Sequence, residues 1–302
     1  MMAATHPVGL VGIGLMGAAF AQRLLGAGLN VVGYDIDGAR TARLARMGAQ
    51  PAASIADVAE RCASMLLAVF STDQVEQVVE QGILPALGEN AGKVVLCAST
   101  CDPDRIAALG ARVAQRGLTF LETPVSGTSE QVRRGEGVGL IGGDREVAAR
   151  VAPVLGAMFA SHFHVGRIGD AGRAKLAINL ILGLNRLALA EGLVFAARLG
   201  LDLAAFLPIA RASAAYSQVM DTKGPKMLGR DFAPEGRVRQ TLKDAHLMLD
   251  QARAVGQRLP LLEIHADVLE ACLRAGDGDR DNSVVIEEIE RRRLLASPAG
   301  AR

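Results

Sequence analysis

The sequence predicts an α/β fold, a doubly wound and mainly parallel sheet domain followed by an all-α domain, and three observations carry that prediction. Short apolar runs rich in valine, leucine and isoleucine recur from residue 8 to residue 166, with helical periods between most of them. Such alternation is the mark of a parallel sheet covered on both faces. It stops near Gly166, and helical periods with few β-rich runs continue to the end. The chain of 302 residues exceeds the usual size of one compact domain, so two are expected, spanning 1–166 and 167–302.

Residues 8–12, VGLVG, read as the first strand, and an apolar helical period follows from Met16 to Leu25. NVVGYD at 30–35 is the second strand, and a helix is expected from about Asp37 to Met47. Further strands are expected at SMLLAVF (64–70), KVVLCAS (93–99), LTFLE (118–122), GVGLIGG (137–143) and HFHVG (162–166). The tail from about Leu294 is expected to fray.

Composition narrows the function classes. Hydrophobic residues make up 50% and charged residues 22%, an ordinary globular balance. A net charge of +1 and 3% aromatics offer neither the electrostatic footprint nor the stacking platforms of a nucleic-acid binder. Cys62, Cys97, Cys101 and Cys272 lie scattered without CxxC pairing, which fits reduced thiols in a cytoplasmic protein. The amino terminus has no basic region before its first strand, so no secretory signal is expected. The most apolar stretch, 171–201, is interrupted by Arg173, Lys175, Arg186, Glu191 and Arg198, and no membrane span is expected.

GIGLMG places Gly12, Gly14 and Gly17 at GxGxxG spacing after the first strand and at the start of a helix, with Asp35 at the end of the second strand. This is the Rossmann dinucleotide fingerprint in its required context. Gly12 permits the tight turn, Gly14 lets the backbone approach a pyrophosphate, and Gly17 allows close helix packing. Ile13, Leu15 and Met16 lie in the same turn, and the helix start attracts the anion. Asp35 would bind the adenosine ribose hydroxyls and repel a 2'-phosphate, so NAD is favoured over NADP.

AGRAKLAINLILGLN, residues 171–185, reads as a buried helix, yet it stacks Lys175 and Asn179 at i, i+4 on one face. A lysine stem lying along apolar surface is the plain alternative. Two loops after strands stand at the sheet's carboxyl edge, where ligands bind in such folds: ASTCDP at 98–103 and TPVSGT at 123–128. In the second, Ser126, Gly127 and Thr128 would offer hydroxyls and backbone amides to a carboxylate.

With these motifs in order, the chain resembles the β-hydroxyacid dehydrogenase family, the group of 3-hydroxyisobutyrate dehydrogenase and tartronate semialdehyde reductase. The resemblance runs from about residue 8 to 290 through VGIGLMG, AST..P, PVSG, GDAGRAKLAIN, LKD at 242–244 and GDGDRDNS at 276–283. It implies that Lys175 is the catalytic residue and Asn179 its substrate-binding partner. Ser99, Ser126 and Gly127, with Thr128, would hold a small carboxylate-bearing substrate. Val69, Phe70, Thr100 and Lys243 would contact the cofactor. The chain departs from the family pattern at Phe70 (usually proline), Cys97 and Glu122 (usually aspartate), Thr128 (usually glycine) and Ile178 (usually asparagine).

The chemistry implied is hydride transfer between a small β-hydroxy acid and nicotinamide. Lys175 would take the hydroxyl proton in oxidation and return it in reduction. The alternatives are an imine reductase-like enzyme, in which the lysine position is typically another residue, a 6-phosphogluconate dehydrogenase, which normally has a larger helical domain, and a non-catalytic NAD-binding sensor. DGDRDNSVVIEE, 277–288, aligns Asp277, Asp279, Asp281 and Glu288 with calcium-loop ligands, but Asn282 replaces the required glycine, and no metal is expected. Tyr216 and Phe232 are candidates for the substrate wall, and the apolar helical half implies a homodimer or homotetramer.

Overall fold

The structure, a computed structural model, describes residues 6–87 and 92–293. The first five residues and the tail expected to fray from Leu294 lie outside the described residues. The chain forms two compact units, Met1–Ile178 and Asn179–Arg302.

The first unit is built on one sheet. Its strands are β1 (Val8–Val11), β2 (Val31–Tyr34), β3 (Gln50–Pro51), β4 (Ser64–Leu67), β5 (Val94–Cys97), β6 (Thr119–Glu122), β7 (Val125–Ser126), β8 (Val138–Gly142) and β9 (Ser161–Gly166). Their order is β3-β2-β1-β4-β5-β6-β8-β7, with β9 beside β8. Every pairing from β3 to β6 is parallel, as is β8 with β9, while β8 runs antiparallel to β6 and β7. All seven expected strands are present and the mainly parallel doubly wound sheet is observed. Two strands, β3 and β7, go beyond the sequence expectation; each has only two residues and carries no apolar run of its own.

Side-chain alternation explains why both faces are covered. On β5, Val94 and Leu96 enter one core layer with Phe20 and Leu24 of the helix Leu15–Gly26. Val95 and Cys97 enter the opposite layer with Ile106, Leu109 and Val113 of the helix Pro103–Ala114. A strand buried on both sides reads as a continuous apolar run, as VVLC does. The strand order reverses between β1 and β4, so the crevice at their carboxyl ends is the expected ligand site.

A helix of 29 residues, Asp170–Arg198, begins in the first unit and continues into the second. By length and mean hydropathy (1.6) it is apolar enough to cross a membrane. Its Lys175, Leu176, Arg186, Leu187, Ala190 and Leu193 are buried within the protein, while Ile181, Leu182 and Phe195 are exposed.

The second unit is helical, with its longest further helices at Val238–Ala254 and Pro260–Arg274. Its polar centre is Asp281, fully buried, whose carboxylate accepts from Lys223 Nζ (2.9 and 3.0 Å), from the amides of Glu235, Gly236 and Ser283, and from the Ser283 hydroxyl. Burial would raise this carboxyl, but the Lys223 ammonium and the amide donors hold it below the ordinary range. The other carboxylates of the calcium-like stretch also face cations: Asp277 pairs Arg280, Asp279 pairs Arg239, and Glu288 pairs Arg291 and Arg292.

Candidate active site

The glycine-rich turn is shaped for close approach of a ligand. Gly12 has φ +91°, a region that glycine occupies without strain, and a Cβ there would meet Ala68 O at 2.6 Å. A Cβ on Gly17 would lie 2.0 Å from Gly12 O, so the helix can sit this close to the turn only without a side chain. A Cβ on Gly14 would meet nothing within 4 Å, so the space in front of that residue is open to a ligand. The helix starting at Leu15 has no side-chain cap and no acid in its first turn, which leaves its positive end toward that space. These features fit a dinucleotide pyrophosphate.

Asp35, at the end of β2, is buried and also braces the turn. Its Oδ2 accepts from Ile13 N–H (2.6 Å), and its Oδ1 accepts from Asp37 N–H (2.9 Å). Arg40 lies 3.5 Å from Asp35 and 3.3 Å from Asp37. Leu15, Met16 and Val69 are half-buried, and Phe70 is exposed at the carboxyl end of β4.

The two serine loops follow β5 and β6, which are neighbours in the sheet. Ser99 is buried, and its hydroxyl donates to Val69 O (2.8 Å), tying the substrate-loop candidate to the cofactor-side residue after β4. Thr100 is half-buried beside it. Ser126 pairs with Val138 as part of β7. Gly127 has φ +144°, a backbone conformation that favours glycine. Thr128 caps the helix Ser129–Arg133, accepting from Gln131 N–H at 3.2 Å while Gln131 Oε1 accepts from Thr128 N–H at 2.8 Å.

Lys175 is buried in the second turn of the long helix, with 7% exposure. The start of that helix is held by Glu122, the last residue of β6. Its Oε2 accepts from Gly169 N–H and its Oε1 from Gly172 N–H (3.0 Å). Burial pushes the Glu122 carboxyl up to about 7, against the pull of the amides of Gly169, Gly172 and Ala171 and of nearby Arg173.

Asn179 lies one turn beyond Lys175 on the same continuous helix. In the second unit Asn179 Nδ2 donates to Asp244 Oδ2 (3.1 Å), while Lys243 Nζ lies 2.9 Å from Asp244 Oδ1. Gln240 Nε2 donates to the same oxygen at 3.3 Å. Asp244 thus brings Asn179 and Lys243 together. Sequence reading quoted Asp244 only within the LKD motif and missed its bond to Asn179 and the capping action of Glu122, because these partners lie 65 and 47 to 50 residues away.

Of the substrate-wall candidates, Phe232 is buried in the second unit with the Arg280 guanidinium over its ring at 4.6 Å. Tyr216 is exposed and donates its hydroxyl to Asp221 (2.6 Å).

A glycine-rich turn and two hydroxyl-bearing loops at the carboxyl edge, with a buried lysine on a helix anchored to that edge, fit an NAD(P)-dependent oxidoreductase. Residues 7–166 match the model for the NAD-binding domain of 6-phosphogluconate dehydrogenase. Residues 169–289 match the model described as NAD-binding of NADP-dependent 3-hydroxyisobutyrate dehydrogenase. The chain is 32% identical to an L-threonate dehydrogenase of Cupriavidus necator, over 93% of this chain and 95% of the relative. It is 28% identical to the 2-hydroxy-3-oxopropionate reductase of Escherichia coli, over 94% and 97% of the two chains. The crystal structure of a 3-hydroxyisobutyrate dehydrogenase from Salmonella typhimurium superposes with a TM-score of 0.85 at 28% identity, over 93% of this chain and 98% of that one.

The chain belongs to the β-hydroxyacid dehydrogenase family. It is an NAD(P)-dependent oxidoreductase whose chemistry is hydride transfer on the carbinol carbon of a β-hydroxy acid. One matching model describes an NADP-dependent enzyme, so the matches define the domain without choosing between the two cofactors.

Proposed function

We propose that the protein oxidises a small, polar β-hydroxy acid with NAD, using Lys175 as the proton acceptor, and that a sugar acid such as L-threonate leads the substrate candidates. The observation that carries this reading is the placement of Lys175. A buried amine on a mainly apolar helix belongs to the same compact unit as the glycine-rich turn and both serine loops. When bound, the nicotinamide accepts or donates the hydride. Lys175 takes the proton from the substrate hydroxyl during oxidation and returns it during reduction. The Ser126–Gly127 loop and Ser99 hold the carboxylate end, and Asn179, its amide oriented by Asp244, steadies the hydroxyl. Fixing the reacting group in this way supplies part of the rate gain, up to about 7 to 11 kcal/mol for perfectly placed groups.

The preference for NAD rests on charge. Asp35 and Asp37 share Arg40 and flank the exposed Ile36, so a 2'-phosphate beside them would face two carboxylates. The subunits assemble as a homodimer or homotetramer through apolar residues that the second unit exposes, among them Ile181, Phe195, Leu199 and Ile209.

The test is a panel of initial rates with NAD and with NADP against L-threonate, 3-hydroxyisobutyrate, serine, glycerate and aryl β-hydroxy acids. The highest kcat/KM is expected for a small polar acid with NAD. A preference for aryl acids or for NADP would refute the substrate class or the cofactor assignment respectively.

A further inference from the structure

We infer that Glu122 is a positioning residue of this enzyme, holding the lysine helix and the serine loop at one fixed spacing; the inference rests on Lys175 being the proton acceptor. Glu122 is the last residue of β6, and Ser126 follows four residues later, so the strand end that carries this carboxylate is also the root of the substrate loop. The carboxylate accepts from the amide of Gly169, just before the helix on which Lys175 lies, and from that of Gly172 in its first turn, one turn before Lys175. A single side chain therefore ties the two parts that must close on one substrate carbon.

The surroundings are cut to fit this tie. In register, Glu122 pairs with Cys97 on β5 and with Gly142 on β8. A Cβ on Gly142 would stand 2.7 Å from Glu122 Oε2, and one on Gly172 would stand 2.9 Å from Oε1. The pocket admits the carboxylate because both neighbours lack a side chain. With 4% exposure, Glu122 has no solvent to exchange its partners for. The ionisable and charged groups around it are Cys97 across the ladder, itself beside Cys101, and Arg173 on the helix, which pairs Asp170 and Asp104. None of them offers the helix amides a substitute acceptor of the same reach.

The expected consequence concerns the chemical step. Glu122→Gln keeps the shape but turns an N–H group toward donors that need an acceptor, so the first helical turn should shift. A displacement of this kind should lower kcat about 10- to 100-fold, with NADH affinity within twofold of the parent. The pH midpoint of the kcat profile should move with it. Glu122→Asp keeps an acceptor on a shorter stem and should recover part of the loss.

The experiment measures kcat, KM and the kcat pH profile on the full-length protein, with the best substrate of the panel. It includes NADH fluorescence titration, a circular-dichroism melt and hydrogen exchange of the segment 167–176 for Glu122→Gln, Glu122→Asp and Lys175→Ala. Faster exchange in that segment, together with a lowered kcat in Glu122→Gln and partial recovery in Glu122→Asp, is the result expected. An unchanged kcat and pH profile in folded Glu122→Gln, while Lys175→Ala is inactive, would overturn the positioning role alone. The same holds if activity in both Glu122 variants falls only in proportion to the folded fraction. Near-parental turnover in Lys175→Ala would remove the underlying reading and this inference with it.

Discussion

At the scale of single residues, the three glycines of the first turn do separate work, and substitution should separate them. Ala at Gly14 meets no neighbour in the fold, so Gly14→Ala should melt like the parent while its NAD dissociation constant rises about tenfold or more. Ala at Gly17 would meet Gly12 O at 2.0 Å, so Gly17→Ala should lose roughly 2 kcal/mol or more of stability. Paired melts and NADH titrations read both effects. Glu122 adds a pH dependence of defined sign. Burial raises its carboxyl from 4.5 to about 7, so the folded state favours the neutral acid. Stability contributed by this residue is present below pH 4.5 and is lost as the pH rises toward 7, by roughly 3 kcal/mol in all. Denaturant unfolding of the parent minus Glu122→Gln should show that decline between those two values and level off above. The glycine turn was legible in the sequence because its logic is local. Glu122 and Asp244 were not, since a buried acceptor finds its donors through the fold rather than through spacing.

At the scale of elements, the long helix carries two buried basic residues of different standing. Lys175 lies at the end anchored to the sheet, whereas Arg186 is buried in the second unit, with its Nε and Nη2 lacking hydrogen-bond partners among the described residues. Burial lowers its guanidinium to about 10, and the same burial, helped by Arg186, holds His265 down to about 3. A buried charge that is incompletely hydrogen-bonded opposes folding, even with the Asp281 carboxylate acting on it. Arg186→Met should therefore raise the melting temperature, by the equivalent of about 1 to 3 kcal/mol, without changing kcat. A destabilised Arg186→Met protein would show that the guanidinium is satisfied in solution. The strands of the first unit were readable because a doubly covered strand is a continuous apolar run. β3 and β7 escaped because a two-residue strand pairs through its backbone and needs no apolar pattern. The helix itself was legible from its period, but not which of its polar residues reach a partner.

At the scale of the whole molecule, the proposed function rests on one turn, two loops and one lysine. The sheet supplies a fixed carboxyl edge, and its loops bring the hydroxyls while a helix bound to that edge brings the amine. The exposed apolar residues of the second unit add an expectation about assembly. Sedimentation equilibrium should give a mass of two or four times 31.5 kDa, and Phe195→Glu should shift it toward the monomer. A monomeric parent protein would leave those side chains without a role in self-assembly.

The central claim is that the Lys175 amine moves the proton of the reacting hydroxyl. Single-turnover formation of NADH by Lys175→Ala, with NAD and substrate saturating, tests it most directly. The account predicts a rate lowered by about 100-fold or more, with NAD affinity within twofold of the parent. A single-turnover rate within a factor of two of the parent would contradict it.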